Sequence, residues 1–103
     1  MIKLNDLLER THKVMVERFR ANEDTSMKAW LLYLSRLWRE ADESLHDKEC
    51  SKYVYSRTEL ILADIILLII AILHHLGVRN IENLLRRRLD DNDRDNKMKL
   101  KKF

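Results

Sequence analysis

The chain has 103 residues, of which 46% are hydrophobic and 36% charged, a balance that suits one folded domain and excludes a disordered polyampholyte. Proline is absent and Gly77 is the single glycine, so the turn chemistry of a β-sandwich or barrel is missing, along with any glycine-rich phosphate loop or serine nucleophile elbow. Four lysines among the last seven residues carry the formal charge of +3; removing them leaves 16 basic against 17 acidic residues.

A first helix is expected from about Lys3 to Ala21, with Leu4, Leu7, Leu8, Val14, Met15 and Phe19 at helical spacing. Asn22 to Ser26 then supply polar punctuation and an N-cap. The second helix, about Ser26 to Leu45, carries the clearest apolar stripe: Met27, Trp30, Leu31, Leu34, Leu37, Trp38, Ala41 and Leu45. Residues 46–56 show no sustained period and read as a connector. It contains Cys50, the lone cysteine, which excludes an internal disulfide and a multi-cysteine zinc site. A third helix follows from about Arg57 to Leu76, closed by Gly77 as its C′ residue. Asn80 is placed to cap a fourth, about Ile81 to Asp91, with Ile81, Leu84, Leu85 and Leu89 facing inward. Residues 1–95 thus read as a single all-α domain, and 96–103 as a basic, disordered tail.

The third helix is unusual. Residues 60–73 are 14 consecutive positions, all apolar except Asp64, fewer than the roughly 20 that span a bilayer. A helix that is apolar all round is buried all round. Three neighbouring helices of one short chain leave its outer side uncovered, so the pattern predicts a bundle completed by oligomerisation, as a homodimer or homotetramer. No N-terminal apolar run of signal-peptide type is present, so a cytoplasmic protein that does not use a membrane is expected.

Asp64 is the strongest chemical clue. Its neighbours three and four positions away are Leu60, Ile61, Leu67 and Leu68, so its carboxylate needs a salt bridge, a proton or a metal ion. On the second helix, Glu40 and Glu43 project from adjacent turns of one flank, either as an ordinary solvated face or as oxygen ligands for magnesium or manganese. Arg86, Arg87 and Arg88 suit a polyphosphate, or a helix C-terminus whose dipole they complement. His12 and His46 stand apart in sequence, and His74 and His75 fit a helix end; no histidine pair has zinc spacing. The near-neutral body lacks the broad basic face of a duplex-binding protein, so nucleic acid is not an expected partner.

Taken together these motifs resemble the MazG-like, all-α nucleoside triphosphate pyrophosphohydrolases. Glu40-Ala41-Asp42-Glu43 is similar to that family's Glu-x-x-Glu. Asp64, followed by apolar residues and Leu76-Gly77-Val78, is similar to its Glu-x-x-Asp and turn. Arg88 and Asn92 are similar to its Lys-x-x-x-Asn. The likeness covers about residues 25–95. It implies a four-helix MazG-like bundle and a magnesium- or manganese-dependent hydrolase that splits a nucleoside triphosphate into the monophosphate and pyrophosphate. Glu40, Glu43 and Asp64 would be the catalytic metal ligands, and Arg88, Asn92 and Arg94 would hold phosphate. The family's fourth carboxylate belongs at position 61, where this chain has Ile61. Glu59 does not replace it, being about 140° round the helix from Asp64. The alternative reading is a catalytically weakened MazG-like protein that binds nucleotide or serves as a helical interaction module.

Overall fold

The computed structural model describes residues 3–22, 24–46 and 55–101, and every regular element among them is a helix: α1 (Leu4–Phe19), α2 (Met27–Ser44), α3 (Arg57–His75) and α4 (Ile81–Lys101). Most of the predicted connector, residues 47–54 with Cys50, lies outside the described residues.

Local chemistry sets the helix ends. Ser26 accepts from the Ala29 amide at 3.2 Å to start α2. Ser56 and Glu59 form a reciprocal capping box on α3, with the Glu59 amide donating to Ser56 Oγ at 3.1 Å. Asn80 accepts from the Asn83 amide at 3.0 Å at the head of α4. At the far end of α3 the Val78 amide donates to Leu73 O and the Gly77 amide to His74 O, each at 3.0 Å. These are the two bonds of a Schellman motif, and Gly77 at φ 100 supplies its left-handed residue. The same pair of bonds ends α1 two residues before the expected Ala21, from Ala21 to Val16 and from Arg20 to Glu17. There the left-handed residue is Arg20 at φ 54, which leaves no glycine signal to read.

Both α1 and α2 run antiparallel to α3. Ser44 and Thr58 hydroxyls meet at 2.7 Å near one end of α2, and Trp30 lies against His75 near the other. On α1, Arg18 reaches Asp64, whereas Leu8 packs with Ile70 and Ile81. The main core joins Met15, Trp30, Leu37 and Ala41 to Ile61, Ile65, Leu68 and Ile72, with Trp30 and Leu68 sealed from solvent. Asn5 of α1 ties down the head of α4, its Oδ1 accepting from the Ile81 amide at 2.8 Å and the Glu82 amide at 3.2 Å.

The outer side of α3 stays bare within the chain. Leu62, Ile66 and Ile69 share one flank and are exposed, Ile66 at 59% against 0% for Leu68. On α2, the seven-residue step Leu31, Trp38, Leu45 is exposed as well, Trp38 at 68%. One groove, lined by Trp38, Ala41, Leu45, Thr58 and Leu62, separates that row from α3. A second, lined by Leu4, Ile66, Ile69, Leu73 and Leu85, lies on the α4 side. The expectation that Leu85 and Leu89 face inward is corrected: Ile81 is buried, but Leu85 is exposed and Leu89 is 70% exposed.

The fourth helix is also longer than expected. It continues ten residues past Asp91 to Lys101, so residues 96–101 prolong a helix instead of forming a disordered tail. Side chains one turn apart support it: Arg94 to Asp91 at 3.2 Å and Lys97 to Asp93 at 3.0 Å. Arg86, Arg87 and Arg88 consequently sit in mid-helix, not at a C-terminus. With α4 held mainly at its head, the radius of gyration is 16.7 Å, against about 13 Å for a compact domain of this length.

Candidate functional site

Of the three states open to Asp64, the fold provides the salt bridge. Arg18 Nη1 lies 3.2 Å from Asp64 Oδ2, with the two side chains 43% and 34% exposed. Asp64 sits about 160° round α3 from both Leu62 and Ile66, so the ion pair and the bare apolar flank lie on opposite sides of the helix. Glu40 is half-buried and Glu43 exposed on α2. Among the described residues, no three His, Cys, Asp or Glu side chains form a metal-holding group, so Glu40, Glu43 and Asp64 do not assemble as one ligand set. A magnesium ion at Asp64 would have to displace a guanidinium, and these residues therefore do not fit one within the chain.

An ion pair this accessible is worth under about 1 kcal/mol. Asp64→Asn is accordingly expected to shift thermal stability slightly and equally with and without millimolar magnesium. A magnesium-dependent rise in melting temperature that vanishes in Asp64→Asn would instead restore the metal reading.

The expected phosphate-binding residues lie on exposed turns of α4. Arg88 donates to Asn92 Oδ1 at 3.3 Å and approaches Asp91 at 3.7 Å, while Arg94 holds the other oxygen of Asp91. An open polar hollow of about 450 Å³ runs along this flank between Arg86, Arg87, Asp90, Asp91 and Arg94. Within it, Asp91 already engages Arg94. The hollow belongs to α4 alone and adjoins none of the three carboxylates expected to hold metal.

The fold does assemble a cluster that sequence spacing concealed. His12 of α1 stands 4.7 Å from His74 and 5.9 Å from His75 at the end of α3, measured between ring centres. Trp30 of α2 closes the group, 5.5 Å from His75 and 6.1 Å from His12. Arg79, in the turn between α3 and α4, donates from Nη1 to His74 O at 3.2 Å and meets His74 Nδ1 at 3.4 Å. His12 Nε2 and Trp30 Nε1 are buried without a hydrogen-bond partner. Burial holds His12 below the usual imidazole range, reinforced by His74, His75 and Arg79. Burial also lowers His74, with Arg79 and His75 adding to the effect and Glu9 opposing it. Only the antiparallel docking of α1 on α3 brings residue 12 to residues 74 and 75, and no local pattern announces it.

Comparison of the chain with protein-family models, with curated proteins and with solved structures gave no match.

Proposed function

We propose that this protein is a catalytically weakened, MazG-like helical interaction module that works in the cytoplasm as a homo-oligomer, with the bare flank of α3 as its contact surface. The observation that carries this reading is the exposed stripe Leu62, Ile66 and Ile69, bordered by Trp38, Leu45 and Leu85. All six side chains are between 40% and 68% exposed, an apolar face of the kind that marks an interaction surface. An α3 ridge between two grooves is self-complementary under a two-fold axis, since the ridge of one copy fits a groove of the next. That geometry favours a second copy of this chain over an unrelated partner.

By length and composition alone, the 19 residues of α3 would also cross a membrane. Its companions argue against that use. Along α1 stand Glu9, Arg10, Lys13, Glu17 and Arg18, and along α2 Arg36, Arg39, Glu40, Asp42 and Glu43. Charges at every depth beside a spanning helix are costly in hydrocarbon.

Pyrophosphohydrolase activity is the second reading, favoured by the Arg88–Asn92 pair and the arginine-lined hollow on α4. One set of measurements on pure protein separates the readings. Light scattering at micromolar concentration should give a dimer or tetramer, and incubation with each nucleoside triphosphate plus magnesium or manganese should release little pyrophosphate. A stable monomer, or partition of the chain into lipid vesicles, would overturn self-association. Rapid, metal-dependent pyrophosphate release would make the protein a hydrolase.

A further inference from the structure

We propose that His12 and His74, packed against His75 and Trp30, form a proton-operated latch that keeps the α3–α4 turn, and with it the head of α4, seated on α1 while these two imidazoles are neutral. The latch lies where three elements meet. His12 comes from α1 and the histidine pair from the last turn of α3, while Trp30 of α2 forms the apolar wall. The charged groups facing it are Arg79 from the turn and Glu9 from α1, one turn before His12.

The key contact is Arg79 Nη1 to His74 Nδ1. It requires a lone pair on Nδ1, hence a neutral ring with its proton on Nε2. A proton taken up at Nδ1 removes that acceptor and sets two cations about 3.4 Å apart. A proton on His12 places a further charge 4.7 Å from the His74 ring, in a site already short of partners for His12 Nε2. The C-terminal dipole of α3 would welcome one cation, but Arg79 already occupies that place through its bond to His74 O. Glu9 offsets one of these charges and leaves the others.

Arg79 also bonds Val78 O at 3.2 Å, so its guanidinium folds the turn onto the end of α3. Once it is expelled, the head of α4 is held by Asn5 and by the packing of Ile81 on Leu8 and Ile70. Acid therefore loosens α4 first, and α4 forms the wall of the groove that contains Leu85. The direction of the pH effect follows from the lowered imidazoles. The open state binds protons more tightly, so the latch is fully effective above about pH 6.5 and is lost as pH falls through the lower midpoints of His12 and His74.

The experiment is an NMR titration of the full chain between pH 8 and 5, combined with amide exchange at residues 81–84 corrected for intrinsic rates. His12 and His74 should titrate below the ordinary 6.5. The opening equilibrium at the head of α4 should rise by up to about tenfold per pH unit for each of these imidazoles. In the double variant His12→Gln, His74→Gln that rise should flatten, while His46→Gln, on an exposed site, leaves it intact. Titration of both histidines at or above 6.5, or an unchanged pH response in the double variant, would overturn the latch. Should the double variant fail to fold, the wild-type titration and the Arg79→Gln variant decide, since removing the guanidinium should raise the His74 midpoint.

Discussion

If the chain self-associates through α3 as proposed, Ile66→Lys is expected to leave a folded monomer. Ile66 is 59% exposed in the single chain, so a lysine there costs the isolated fold little and keeps its ammonium in water. In the assembly the same position would be enclosed by the partner copy. An unpaired charge there costs several kcal/mol, and a two-fold interface meets it twice. Light scattering should show the mass falling to that of one 12.5 kDa chain, with helical circular dichroism unchanged. Ile65→Lys serves as the contrast. Ile65 is 7% exposed and lies in the main core, so this variant should lose its fold altogether. An Ile66→Lys protein of unchanged mass would show that the α3 flank is not the contact.

Ile61→Glu should be among the most damaging single substitutions, although the resemblance to the pyrophosphohydrolases would call it a repair. By that pattern a glutamate at 61 completes a four-carboxylate site, so that metal binding and turnover increase. The fold puts Ile61 elsewhere: it is 8% exposed and lies in the core with Leu37, Ala41 and Ile65, whereas Asp64 is turned to Arg18 on α1. A carboxylate at 61 loses the packing of an isoleucine and buries a charge in an apolar core. The cost is on the order of several kcal/mol, which in a chain of this size lowers the melting temperature by more than about 15 °C. Melts with and without magnesium, together with a pyrophosphate assay, test this directly. If magnesium rescues both stability and turnover, α2 and α3 can open into the family's metal site, and the hydrolase reading prevails.

Both predictions turn on the difference between what a helix announces and what its docking decides. The caps at Ser26 and Asn80, and the Gly77 stop, were legible because capping is a bond between residues a few positions apart. The end of α1 was not, since an arginine occupies the left-handed position usually held by glycine. The length of α4 was missed because its residues 92–98 are exposed; pairs such as Lys97 with Asp93 sustain that stretch, and an apolar period does not register those.

The candidate sites divide the same way. That Asp64 would be paired was expected from its four apolar neighbours, although the fold leaves its side chain 34% exposed and water shares its solvation. That the partner is Arg18, and that Glu40 and Glu43 do not join it as metal ligands, depended on which helix lies against that flank. His12, His74 and His75 were visible as single residues, and only the crossing of α1 over the end of α3 made them one group. By itself, then, the sequence determined four helices, most of their ends, and an α3 too apolar to leave in water. The tertiary structure alone decided which sides of α3 are covered, which charges pair and which imidazoles meet. Periodicity fixes the angle of a side chain on its own helix, but the neighbour at that angle comes from another element of the chain, placed by the packing of the whole core.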